Sequence, residues 1–153
     1  MHIVLEQVIR QTPEVVFNFV ARDFVQNHPR WDPDVTMRQE KEGPIGVGRR
    51  LVERRRVFGP WRVTSVFEVT EFRPNERFAF RVVRSPLIGP KDLVGIFNVA
   101  QDADGTRLRH ELHGRLPALT KIAFRRRLQR DVKINTATIK RCWKPEARRH
   151  DAN

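Results

Sequence analysis

The spacing of apolar residues along this chain changes from strand-like to helical and back, and that alternation predicts the order of its elements. His2 to Arg10 alternates loosely between apolar and polar and predicts a first strand. Thr12-Pro13-Glu14 carries the signals of a helix start: Thr12 as cap, Pro13 at the first helical position, Glu14 near the positive end. Val16, Phe17, Phe19 and Val20 give that helix an apolar side. Asp23 to His28 predicts a second short helix stopped by Pro29, and Arg30-Trp31-Asp32-Pro33 a turn with a buried aromatic. Strand-like alternation then runs through Val35–Glu40, Arg49–Phe58, Trp61–Phe72, Arg77–Arg84, Leu93–Gln101 and Thr106–Leu116. Glycine- and proline-bearing turns such as Gly59-Pro60, Arg73-Pro74-Asn75-Glu76 and Asp102-Ala103-Asp104-Gly105 separate them.

From Ala118 the period is helical. Phe124, Leu128, Val132, Asn135, Ile139, Cys142 and Trp143 fall within one arc of roughly 100°, the width of a helix that buries one stripe. Arg126, Arg127, Arg130, Lys133, Lys140, Arg141 and Lys144 fall opposite. The predicted order is one strand, two short helices, six strands and a long helix. Consecutive strands with tight turns make an antiparallel sheet with one face to bury, and only the last helix is long enough to cover it. We expect one domain over 1–145 and a frayed basic tail over 146–153.

The same alternation selects inward residues. On the last strand Leu108 and Leu112 face the helix, and His110 and Gly114 go in with them. The inward candidates on the other strands are Phe67 and Val69, then Phe78, Phe80 and Val82, then Leu93, Gly95, Phe97 and Val99. Phe124, Leu128, Val132, Asn135 and Ile139 face them from the helix. Such a wall of Phe suits an apolar or aromatic ligand and a packed core equally. Gly95 and Gly114 leave room inside, which favours a cavity. On Arg49–Phe58 the inward face is open: if Leu51 and Val57 point in, Glu53 and Arg55 do too. The pair is read as a polar mouth or exposed edge pair, because buried ion pairs are rarely kept for stability alone.

Charge adds a second theme. The net charge is +12, and residues 118–153 carry eleven of the 30 Lys and Arg against three of the 18 acidic residues, a formal +8. That invites docking of the basic helix face to an anionic membrane or to nucleic acid. A solvated surface explains it as well, and nucleic acid is not expected. The single cysteine, Cys142, lies on the buried stripe, so no internal disulfide or cysteine-based metal cluster is expected. No apolar run approaches a membrane span and the start lacks signal-peptide character, so a cytoplasmic location is expected.

Several stretches in this order resemble the SRPBCC superfamily of START-like and birch-allergen-like domains, and most closely its polyketide cyclase/dehydrase and lipid-transport branch. They are Thr12-Pro13-Glu14-Val15-Val16-Phe17, Trp31-Asp32-Pro33 with Val35, Gly43-Pro44-Ile45-Gly46-Val47-Gly48-Arg49, Val69-Thr70-Glu71-Phe72-Arg73-Pro74, and Asp104-Gly105-Thr106-Arg107-Leu108. The resemblance implies an α+β helix-grip fold: a seven-stranded curved antiparallel sheet around a long C-terminal helix, with two short helices after strand 1. It also implies a cavity for an apolar ligand between sheet and helix.

The candidate ligand-binding set is Phe67, Phe80, Phe97, Val99, Leu108, His110, Leu112, Phe124, Leu128, Val132 and Asn135. His110 has two readings: a ligand-orienting or acid–base group near neutral pH, or a core histidine satisfied by a neighbour. Asn135 is either ligand-facing or bonded to the sheet. His110-Glu111-Leu112-His113 is one residue short of a zinc motif, and on a strand its histidines point to opposite faces, so no metal site is expected there. No cofactor is expected either: the glycines at 43, 46 and 48 precede a strand, not a phosphate-binding helix. Three functions follow: carriage or sensing of a lipid- or polyketide-like molecule, an aromatase/cyclase-type reaction using His110 with Arg55 as a carbonyl partner, or surface docking through the basic helix. Neither the ligand nor the oligomeric state is encoded legibly.

Overall fold

The computed structural model describes residues 2–86 and 93–115, with the side chains of 57 and 58 excepted. Seven strands are present among them: β1 (His2–Ile9), β2 (Val35–Gln39), β3 (Arg50–Phe58), β4 (Trp61–Arg73), β5 (Arg77–Arg84), β6 (Leu93–Asp102) and β7 (Gly105–Gly114). They form one curved antiparallel sheet in the order β1-β7-β6-β5-β4-β3-β2. β1 and β2, consecutive in sequence, therefore lie at opposite edges. The segment joining them crosses the sheet as α1 (Pro13–Phe17), a π-helical turn (Asn18–Arg22) and α2 (Phe24–Trp31). The expected C-terminal helix, with Phe124, Leu128, Val132, Asn135 and its basic arc, lies outside the described residues. Among the described residues no helix is long and apolar enough to cross a membrane.

Local signals explain the helical segment in part. Thr12 caps α1 by accepting from the Val15 N–H, and Pro13 takes the first helical position. The π-helical turn is not foreshadowed in the sequence. It closes where the Asp23 N–H donates to the Asn18 carbonyl at 2.8 Å, and it buries Val20 and Ala21 completely. Pro29 does not stop the second helix, contrary to expectation. It sits inside α2, and its ring nitrogen gives up the bond to the Val25 carbonyl. Interior proline costs about 3 kcal/mol. Burial of Phe24 and Trp31, at about 1.5–3 kcal/mol for a large apolar side chain, offsets that, and the Asp32 N–H still closes on the His28 carbonyl at 3.0 Å. Trp31 thus ends a helix, where a turn was expected.

Register aligns the inner face into rows. One row runs Phe72, Phe78, Phe97, His110, Leu5 across β4, β5, β6, β7 and β1. The next runs Val69, Phe80, Gly95, Leu112, Ile3. Bulges in β4 beside Val66/Phe67 and Val69/Glu71 shift its alternation, so Val66 and Phe67 are both buried. Phe24 of α2 seats on this face, 5.3 Å from Phe78, 5.5 Å from Phe80 and 6.3 Å from Phe97 between ring centroids.

Gly95 plays a different part from the one expected. A Cβ there would lie 2.4 Å from the Phe80 ring. The missing side chain is therefore the seat of Phe80, not open cavity space. The cross-strand partner needs a flat surface to lie on, and only glycine provides it.

Candidate functional site

The inner face carries a polar cluster at the end where α2 meets β3. Leu51 is fully buried, and strand alternation turns Glu53 and Arg55 to the same side. Arg54 and Arg56 face out, where Arg56 pairs with Asp34. Glu53 is 7% exposed, so the pair is not an exposed edge pair, while Arg55 keeps 28% of its side chain exposed. The sequence argument lacked the second acid. Asp32, 4% exposed, follows directly on α2 and places Oδ2 2.8 Å from Arg55. Arg55 also forks onto Glu53, Nε to Oε1 at 3.0 Å and Nη2 to Oε2 at 3.3 Å. One guanidinium bridging two carboxylates is the geometry that makes ion-pair burial tolerable. Burial works against its charge, but Glu53 and Asp32 together raise the Arg55 pKa, so it stays charged.

His28 extends the cluster inward. Its Nε2 lies 3.9 Å from Glu53 Oε2, within ion-pair range and beyond a hydrogen bond. Its ring sits between Phe24, at 4.7 Å, and Trp31, at 5.2 Å. Both ring nitrogens are buried and lack a hydrogen-bond partner among the described residues. Burial pushes the His28 pKa down; Glu53 opposes this, Arg55 reinforces it and Asp32 opposes it. The imidazole is neutral at physiological pH, with one N–H and one lone pair uncommitted among the described residues.

His110 lies across the sheet from this cluster. It is half-buried and stacks on Phe97 with centroids 4.2 Å apart and planes within 10°. Phe97 stacks in turn toward Phe78 at 6.2 Å. Burial, aided by the neighbouring His28 and opposed by Glu111, lowers the His110 pKa to about 4. Both inner histidines are thus uncharged hydrogen-bonding groups on an aromatic surface.

The remaining predicted residues separate cleanly. Phe67, Phe80, Phe97, Val99, Leu108 and Leu112 are all buried in one apolar cluster on this face, with His110 in its row. Glu53 and Arg55 join them through His28. Phe124, Leu128, Val132 and Asn135 fall outside the described residues. Sequence reasoning missed His28 and Asp32. Their signal was present in the spacing: His28, Trp31 and Asp32 fall within one helical turn and its cap, so they share a side once Pro29 is allowed inside the helix.

Comparison with known proteins bears on the fold and the family. No curated protein matches the sequence. Among solved structures, ginseng major latex-like protein 151 from Panax ginseng is similar in fold, with a TM-score of 0.75 and 11% identity, covering 95% of this chain and 98% of that one. Mll3558 from Rhizobium loti gives 0.63 and 22%, covering 90% and 96%. MLL2253 from Mesorhizobium loti gives 0.67 and 17%, covering 92% and 95%. Residues 1–141 match the sequence family described as polyketide cyclase/dehydrase and lipid transport, and the chain belongs to that family.

Proposed function

We propose that this protein binds a largely apolar, ring-containing small molecule against its Phe-rich inner face, as a carrier or sensor, and anchors one ligand oxygen at the His28–His110 end. The family description supports an apolar or polyketide-like ligand. The observation that carries the anchoring is the pair of His28 ring nitrogens, buried between two aromatic rings and without a hydrogen-bond partner among the described residues. A buried donor and acceptor left unmade cost about 1–3 kcal/mol. A hydroxyl or carbonyl on a flat ligand would satisfy them while its rings lie against the apolar inner face.

Acid–base catalysis by His110 fits less well. A base with a pKa near 4 is weak at neutral pH, and a group neutral there cannot act as the acid. Its neutral state suits hydrogen bonding in a binding site.

The test is equilibrium binding of naphthalene and 2-naphthol, followed by ligand fluorescence, to wild type, His28→Leu and His110→Leu. Wild type should prefer 2-naphthol, and His28→Leu should lose about tenfold of that preference, the scale of one buried hydrogen bond. Naphthalene binding should persist in both variants. No saturable binding of either probe, or a preference that both variants keep, refutes the proposal.

A further inference from the structure

The outer face of the same sheet carries a second constellation, unrelated to the inner cluster. His2 on β1 lies directly opposite His113 on β7. Glu111, two residues before His113, shares its face. The two imidazoles stack with centroids 4.1 Å apart and planes 23° from parallel. Each brings Nε2 to the same carboxylate oxygen: Glu111 Oε2 is 3.1 Å from His113 and 3.7 Å from His2. All three atoms lie within 4.8 Å of one another.

We propose that His2, Glu111 and His113 form a surface site for one divalent transition-metal cation of the zinc class. Tetrahedral ligands at zinc distances stand about 3.3 Å apart. The two measured edges bracket that spacing, and the rings, 55% and 41% exposed, are free to turn the remainder. The carboxylate is prepared for the role. Its other oxygen, Oε1, accepts from Asn98 Nδ2 at 3.0 Å and pairs with Arg109 Nε at 3.0 Å, which leaves Oε2 to the histidines. Such outer partners hold a metal ligand in its working orientation. Two imidazoles and one carboxylate favour zinc, copper or nickel over calcium or magnesium, which prefer all-oxygen sets. The cation would staple β1, at the sheet edge, to β7, with a coordination position left open to solvent.

The expectation of no metal considered partners along one strand. His110 and His113 do lie on opposite faces. The partner comes from across the sheet, through the β1–β7 register.

The test is calorimetric titration of the tag-free full chain with zinc chloride, with the histidine ring nitrogens followed by NMR. One equivalent should bind, with shifts confined to His2 and His113, and the melting temperature should rise with zinc. Asn98→Ala, which releases Oε1, should weaken binding about tenfold. His113→Ala should weaken it further. Glu68→Gln, on the same face and outside the triad, should bind as wild type. Absence of saturable binding, or binding that His113→Ala leaves intact, overturns the site.

Discussion

His110 and His113 stand three residues apart on one strand, yet chemically they inhabit different solvents. His110 faces in, lies flat on Phe97 and is held neutral to about pH 4 by burial. His113 faces out, stacks on His2 and bonds Glu111 at 3.1 Å. Burial pushes the Glu111 carboxyl up, but His113, Arg109 and His2 together bring it below the usual carboxylate range. The difference is one of parity: strand alternation gives one histidine an aromatic, desolvated surface and the other a polar, hydrated one. The same contrast separates the charges. Arg55 bridges two buried acids inside, whereas Arg81 and Arg50 share the partly exposed Glu68 outside.

The sharpest way to break this comparison is Arg55→Ala. It removes the guanidinium that the buried Asp32 and Glu53 carboxylates share and should cost about 3–5 kcal/mol in urea unfolding. A mild effect would mean that the inner cluster is hydrated like the outer one. Next is Gly95→Ala, which pushes the Phe80 ring from its seat and should cost about 1–3 kcal/mol as overpacking. The Phe80→Leu change should be milder in that background than in wild type, since both residues claim one space.

The third is the pH dependence of stability. Unfolded histidine titrates near 6.5, folded His110 near 4. Between those values the unfolded chain binds a proton that the folded chain refuses. Stability therefore falls as pH drops from about 6.5 and levels off below about 4, with a slope of at most about 1.4 kcal/mol per pH unit from this group. His28, also lowered, adds in the same direction. His110→Leu should flatten the profile, as measured by urea midpoints across pH 4–7. The smallest effect is expected for Arg81→Ala, because its ion pair with Glu68 is partly exposed and screened by solvent. A loss rivalling Arg55→Ala would erase the distinction between the faces.

Alternation was enough to put Phe67, Phe80, Phe97, Leu108, Leu112 and His110 on one inner face, because a half-buried strand writes its orientation into every second residue. It did not settle Glu53 and Arg55. Their burial depends on Asp32 and His28, which arrive from α2, and no local pattern reports a partner more than twenty residues away in the chain. Pro29 hid those partners by marking a helix end that tertiary packing overrode. Gly95 misled for a related reason: a glycine in a strand announces missing volume but not which neighbour fills it.

The order of elements, the antiparallel sheet and the inward parity of each strand were determined by the sequence itself, since local periodicity and turn chemistry act within a few residues. Tertiary structure alone decided which inward and outward groups meet. The crossing from β1 to β2 brings His28 and Asp32 to Arg55, and the β1–β7 pairing brings His2 to His113. Both encounters are set by sheet order and register, which depend on how the whole apolar face is buried and which no single segment specifies.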